Sequence, residues 1–292
     1  MKQSDRETAM KNVTAILGSA DPEMGLIEVA LTAAGVRYVY ASVDGCRVHP
    51  GNAGRATGVI GEIGSGQVVL VECDGPWLRS LPVVARCDHH SPGDQGFGRP
   101  PEEFLTASSV GQVMLWLAGL PTDGTVGIEH SGGAWFIGGQ VVPADVVLGA
   151  AADHCLGAAY AGRCPGVDPD ALMLWRAQSR AEFQGRSVKS LLADIAQTQA
   201  ALDSAAMVNL SAVAQAADMR REPPWPELPE AAARLGAGYI SGPLIGPDGR
   251  RKFTCSGLPE QVKAFMDEWA PKNGLTGIYG DPKRGFAGGY AA

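Results

Sequence analysis

Short apolar runs alternate with amphipathic stretches through the first half of the chain. Asn12-Val-Thr-Ala-Ile-Leu17 predicts a strand, and Gly18-Ser-Ala-Asp21 a turn. From Pro22 to Ala34 apolar residues fall at helical spacing (Met24, Ile27, Val29, Ala30, Leu31), and Pro22 suits a first helical turn. Val36–Ser42, Val68–Cys73 and Val83–Cys87 predict three more strands, the last short and buried. Ser109–Leu117 predicts a helix that stops near Gly119. The apolar stretch Val146–Ala152 predicts a further strand, ending at Asp153-His154. Strands alternating with helices imply an α/β fold with a mostly parallel, doubly wound sheet.

The pattern changes after residue 165. Asp168–Met219 is rich in Ala, Leu, Gln and Arg and predicts helix. The run Arg220–Pro229 holds four prolines, which stop a helix and suit a semi-rigid connection. Gly238–Ile245 and Arg250–Cys255 flank Gly246-Pro-Asp-Gly249, a hairpin signal. Glu260–Ala270 predicts a helix, and Gly285–Tyr290 a glycine-rich loop. Three segments result: a metal-ready α/β domain over 1–165, a helical connector with Pro-rich linker over 166–231, and a small α+β domain over 232–292.

Charge divides along the same line. The 292 residues carry a net charge of -7. Residues 232–292 carry +3, which leaves -10 for the rest. An acidic body beside a basic tail suits a metal site that meets an anionic substrate. Long-duplex binding is disfavoured, because it needs an extended basic face. The six cysteines form no CxxC pair, and Cys73, Cys87 and Cys155 read as reduced core residues. The first residues show no cleavable signal pattern, and no apolar run reaches membrane-spanning length. A soluble, cytoplasmic protein is expected.

Candidate chemistry gathers where strands are predicted to end. Asp21 and Glu23 follow the first strand, Asp74 another, and Asp88-His89-His90 the strand Val83–Cys87. Asp153-His154 forms the fourth group. The chain holds five histidines, and three of them lie in the last two groups. Carboxylates mixed with imidazole suit Mn, Zn, Fe or Co. Each residue also has a plainer use. Asp21 can cap the helix at Pro22, Glu23 can serve as a first-turn acid, and Asp74 can form a turn before Gly75-Pro76. His130 reads as a turn residue, Arg99 as part of a solvated loop, and His49 as a loop residue that could also reach a metal.

The order of these motifs resembles the DHH phosphoesterase superfamily. Asp21/Glu23, Asp74, Asp88-His89-His90 and Asp153 look like its acidic first motif, lone Asp, triplet and later Asp. Ala107-Ser-Ser-Val-Gly-Gln112 resembles the small-residue segment that opens a helix after the triplet. Lys283, Arg284, Gly288 and Gly289 resemble a degenerate glycine-rich loop of the DHH-associated C-terminal domain. The first motif departs from the family pattern: it lacks a His and has Glu23 for an Asp, so His49 or His154 could compensate. The resemblance implies two Mn²⁺ ions, with Mg²⁺, Co²⁺ or Zn²⁺ as substitutes. The ligands would be Asp21, Glu23, Asp74, Asp88, His89 and Asp153, with Asp74 bridging. Asp88, His89 and His90 would serve catalysis. His90, His154, Lys283, Arg284, Gly288 and Gly289 would meet the substrate. The implied activity is hydrolysis of a nucleotide, dinucleotide or short single-stranded oligonucleotide to mononucleotides, in a monomer or homodimer. The alternatives are a single-strand exonuclease and a nucleotide-binding protein whose site has decayed.

Overall fold

The computed structural model describes residues 12–221, 223, 225–245, 249–283 and 285–291. It divides into two compact units, 1–179 and 180–292. The strands of the first unit are β1 (Val13–Leu17), β2 (Arg37–Val43), β3 (Cys46–Arg47), β4 (Gly58–Ile60), β5 (Gln67–Val71) and β6 (Val83–Cys87). They form one sheet in the order β3-β2-β1-β5-β6, with β4 also on β2. The β2-β1-β5-β6 core is parallel, and β3 and β4 pair antiparallel with β2. All of β1 and Val68–Val71 of β5 are buried, as central strands of a parallel sheet require. Strand β6 is an edge among the described residues, so Val83 and Val84 are exposed rather than buried as expected.

The helices of this unit are α1 (Pro22–Ala33), α2 (Phe104–Ala107), α3 (Ser109–Leu117) and α4 (Ala144–Tyr160). Helices α1, α3 and α4 pack on one another. Asp21 caps α1 by accepting from Met24 N–H at 2.7 Å, and Ser108 caps α3 by accepting from Gly111 N–H at 3.1 Å. Residues 146–152, expected as a strand, are part of α4. A buried apolar run fits either structure, and Gly149-Ala-Ala-Ala152 lacks the β-branched side chains that favour a strand. A small sheet of β7 (Ile128–Ser131), β8 (Ala134–Ile137) and β9 (Gln140–Val141) precedes α4. His130 lies in β7, opposite Trp135, rather than in a turn.

Helix α5 (Pro169–Gln184) spans the boundary between the units, and α6 (Val188–Asp203) follows it. The expected helix ends there. Residues 207–220 instead supply β10 (Met207–Asn209) and β11 (Gln215–Arg220). The Pro-rich run therefore lies inside the second unit, before α7 (Leu228–Leu235), rather than between units. Its Glu227 is buried and paired with Arg180 at 2.5 Å. Strands β12 (Tyr239–Ile245) and β13 (Arg251–Ser256) pair antiparallel as the hairpin signal predicts, although 246–248 lie outside the described residues. A helical run from α8 (Pro259–Ala264) through a π turn to Lys272 buries Val262, Phe265 and Trp269 against Ile240, Cys255 and Ala287.

Strands β14 (Thr276–Asp281) and β15 (Phe286–Ala291) complete a six-stranded sheet, ordered β10-β11-β12-β13-β15-β14. The expected glycine-rich loop is thus a strand between two others. A Cβ on Gly288 would stand 2.6 Å from the Tyr279 hydroxyl, so glycine there admits the Tyr279 side chain.

One close approach fixes the carboxyl ends of β1 and β5 in the first sheet. Gly18 N–H donates to Val71 C=O at 2.9 Å, and a Cβ at Gly18 would stand 2.2 Å from the Glu72 carbonyl oxygen. Gly18→Ala should force the ends of β1 and β5 apart and cost about 1–3 kcal/mol. Urea unfolding measures this; an unchanged midpoint would contradict the packing described.

Candidate metal centre

Three parallel strands of the first unit end beside one another, and each hands the chain to a polar group. After β1 come Asp21 and Glu23, at the start of α1. Glu72 follows β5, and Asp88-His89-His90 follows β6. Asp153 and His154 reach the same place from α4. Ligand sites form at such carboxyl ends because the strands diverge there and helices begin.

Backbone detail aims these side chains. Glu72 has φ 50°, the left-handed region a non-glycine residue rarely enters, while its N–H still donates to Cys87 C=O at 3.0 Å. Buried Gln112 of α3 holds the triplet by its backbone. Its Oε1 accepts from Asp88 N–H at 3.0 Å, and its Nε2 donates to Asp88 C=O at 3.1 Å and Ala107 C=O at 2.8 Å. The N-terminus of α3 also donates Val110 N–H to Glu23 Oε1 at 2.9 Å.

Glu72, His89, His90 and Asp153 each offer a ligand atom within 4.8 Å of the others. Glu72 and His89 are buried, whereas His90 and Asp153 open to solvent. Asp21 and Glu23 complete the acidic set, since both interact electrostatically with Asp153 and with Glu72. Burial, then Asp153, raises the Glu23 carboxyl well above its usual range. Burial and repulsion from Asp153 and Asp21 push Glu72 up to about 8. Burial raises Asp21 also. Burial opposes ionisation of Asp153 too, yet a proton on His89 Nε2, 2.8 Å away, would hold it down to about 2. His90 goes the other way. Burial would lower it, but Asp88, Glu72 and Asp153 carry it up to about 9.

Hydrogen bonding sets the tautomer of His89. His154 Nε2 lies 3.1 Å from the Arg99 carbonyl oxygen, which can only accept. That nitrogen therefore carries the proton, and the Nδ1 of neutral His154 is an acceptor. It lies 3.0 Å from His89 Nδ1, which must then donate. In neutral His89 the remaining nitrogen, Nε2, is a bare lone pair. It lies 2.8 Å from Asp153 Oδ2 and 3.8 Å from Glu72 Oε1. A lone pair against two carboxylate oxygens is repulsive unless a cation lies among them. Ligands at right angles on an octahedral ion with bonds of about 2.1 Å stand about 3 Å apart. Glu23 Oε2, Glu72 Oε1 and His89 Nε2 are all buried side-chain atoms without a hydrogen-bond partner. Such orphans are rare, and two of them, on Glu72 and His89, belong to a cluster whose ligand atoms could hold a cation.

The sequence-predicted residues divide on this geometry. His89 and Asp153 meet in the cluster, His90 joins them, and Asp21 and Glu23 lie within electrostatic reach. Asp88 stands one step back: its Oδ1 faces His90 Nδ1 at 2.9 Å and accepts from His89 N–H and His90 N–H. It orients the triplet. Asp74, expected to bridge two ions, is turned away. Arg79 and Arg86 bind its carboxylate, and the Arg79 bond first of all holds its pKa well below the carboxylate range. The site takes Glu72 instead. One signal for Glu72 was present in the sequence: it is the first acid after Val68–Val71, so it alone lies at the strand's end.

His154 serves as a positioning partner of His89. His49 belongs to its own exposed turn, where its Nδ1 accepts from Gly51 N–H at 3.2 Å. Arg99 is a brace rather than a loop charge, donating to Thr106 and to Asp123 C=O. Lys283, Gly288 and Gly289 lie in the second unit, and Arg284 lies outside the described residues. Cys73 and Cys87 are buried free thiols, as expected. Among the described residues, no helix is long and apolar enough to cross a membrane. No protein-family model matches the chain, and no curated protein matches it.

The buried carboxyls make a pH test. A group with a raised folded-state pKa contributes most stability below its unfolded value and loses it as pH rises through the folded value. For Glu72 that window runs from 4.5 to about 8. In metal-free protein, Glu72→Gln should therefore gain stability over wild type between pH 5 and pH 8, on the order of 2–4 kcal/mol. Chemical denaturation at both pH values checks this; a gain that shrinks toward pH 8 would contradict it.

Proposed function

We propose that the chain is a divalent-metal-dependent phosphoesterase of the manganese type, acting on short nucleotide phosphodiesters. The observation that carries the metal is the meeting of Glu72, His89, His90 and Asp153, whose ligand atoms all lie within 4.8 Å of one another. The donor set of carboxylate oxygen and imidazole, without sulfur, favours Mn²⁺ and admits Mg²⁺, Co²⁺ or Zn²⁺. Glu72, His89 and Asp153 would hold the first ion. Glu23 and Asp21 would serve a second, whose presence follows from the resemblance to DHH phosphoesterases. A bound dication supplies Lewis acidity toward a phosphoryl oxygen and makes water a stronger acid.

The protein's own groups do the rest. Asp88 keeps His90 oriented, its Oδ1 2.9 Å from His90 Nδ1, and without metal the surrounding carboxylates carry the ring up to about 9, so it holds a proton at neutral pH. That charge suits a phosphate oxygen or a departing alkoxide that needs a proton. Gln112 and the α3 N-terminus fix the backbone beneath these side chains, so they need little reorganisation when substrate arrives. In the second unit, Arg250 lies over the Tyr290 ring at 4.2 Å and Lys252 over the Tyr279 ring at 5.4 Å. Cations beside aromatic faces suit a substrate that carries both phosphate and base. Exposed Lys283 adds to that basic character.

The resemblance also implies a doubly wound first domain. Helices α1, α3 and α4 beside a parallel core support that form. The face of Ile16, Val68 and Leu70, which packs on Val48, Ala56 and Leu78 from loops and short turns, does not. A cytoplasmic location is part of the same reading.

Calorimetric titration with Mn²⁺, paired with hydrolysis of a 5′-phosphorylated dinucleotide, tests the proposal. Glu72→Gln and Asp153→Asn should each weaken Mn²⁺ binding by about 100-fold and abolish turnover. Asp74→Asn should bind Mn²⁺ within about 3-fold of wild type, since its carboxylate serves two arginines. Loss of metal in Asp74→Asn with retention in Glu72→Gln would overturn the ligand set. Metal binding with no hydrolysis of dinucleotides, cyclic dinucleotides or short oligonucleotides would support a nucleotide-binding protein instead. Salt-sensitive cleavage of single strands of many lengths would point to an exonuclease.

A further inference from the structure

Cys155 and Cys164 play no part in the proposed chemistry, yet their arrangement is unusual. Their sulfurs lie 2.9 Å apart, and both are free thiols. A disulfide bond is about 2.05 Å long, so closure needs less than about 1 Å of approach. The other four cysteines form no such contact among the described residues. Cys46 is exposed, and Cys73, Cys87 and Cys255 are buried.

The backbone brings the pair together. Within α4 Cys155 alone leaves helical geometry, with φ -152° and ψ 45°. Beyond the break the chain runs to Tyr160, then turns back through Gly162, which has φ 71°. Arg163 N–H donates to Ala158 C=O at 2.9 Å and closes that turn, which sets Cys164 beside Cys155. Cys164 is 2% exposed, whereas Cys155 is half-buried and is the reachable sulfur.

We propose that Cys155 and Cys164 are a redox pair that forms a reversible disulfide. The oxidant is a small disulfide of the glutathione class. Cys155 sulfur attacks one glutathione sulfur, loses its proton and releases one glutathione thiol. Cys164 sulfur then attacks Cys155 sulfur, loses its proton and releases the second. Two protein thiols are oxidised by two electrons, and one glutathione disulfide is reduced to two thiols. Transient pairs of this kind are the form disulfides take in reducing compartments. Cys155 follows His154 directly, so closure pulls on the residue that sets the His89 tautomer. Resting on the metal-centre reading above, the oxidised protein should bind Mn²⁺ with altered affinity.

The full-length chain, incubated with oxidised glutathione, quenched in acid and alkylated under denaturing conditions, gives the test by peptide mass spectrometry. A Cys155–Cys164 linked peptide, lighter by two hydrogens and abolished by dithiothreitol, is expected. Cys164→Ser should instead hold glutathione on Cys155, because no resolving thiol remains. Full alkylation of both wild-type cysteines, or pairing of either with another cysteine, would overturn the pair. Mn²⁺ titration of oxidised and reduced protein should differ by at least about 3-fold. Equal affinity with the disulfide present would overturn the coupling alone. Absence of Mn²⁺ binding in both forms would indict the metal reading and leave the disulfide result standing.

Discussion

A single hydrogen bond between two imidazoles determines what this site can hold. The Arg99 carbonyl fixes the proton on His154, and His154 in turn fixes the proton on His89. On the far side of a neutral His89 ring an unshared pair would then face Asp153 and Glu72, with Nε2 2.8 Å and 3.8 Å from their oxygens. Reversal of the tautomer would put an N–H there and satisfy the pocket without metal. The positioning residues thus choose between a neutral hydrogen-bonded cluster and a cation site, as partners of metal-bound histidines commonly do.

The fold makes that arrangement affordable. Four carboxyl groups from α1, the end of β5 and α4 would repel one another in an open chain and remain apart. Here the parallel strands end together, and the N-termini of α1 and α3 point the same way. Helix N-termini favour negative charge, and their free N–H groups bind Asp21 and Glu23 directly. Burial first, and then repulsion from Asp153, raises the pKa values of Glu23 and Glu72. A metal bound there at neutral pH would therefore displace protons, and its affinity would rise with pH until those groups ionise unaided.

Much of this was legible in the chain. Strands β1, β2, β5 and β6 and helix α3 follow from apolar periodicity, and β6 and α3 match to the residue. The convergence of Asp21, Glu23, His89, His90 and Asp153 follows from acids and imidazoles at the ends of predicted elements. What was not legible depends on tertiary geometry. Glu72 and Asp74 are two residues apart, and only the left-handed turn at Glu72 decides which enters the pocket. Asp74 meets arginines from β6 and from the turn at Leu78–Ser80, partners no local pattern reveals. Val146–Ala152 is apolar all round, so its helix has no periodic signature. Gly285–Tyr290 has glycine at three of its six positions, which breaks the strand pattern, and Tyr279 across the sheet packs over Gly288 instead. His154 was named as a substrate residue, whereas its work is done through another ring.

Anomalous X-ray diffraction from crystals soaked in Mn²⁺ tests the central claim most directly, because it locates the ion without reference to activity. A peak bonded to His89 Nε2 and to carboxylate oxygens of Glu72 and Asp153, with His89 Nδ1 still on His154, is the result predicted. A peak held by Asp74, or an ordered pocket with no anomalous density at saturating Mn²⁺, would contradict the account.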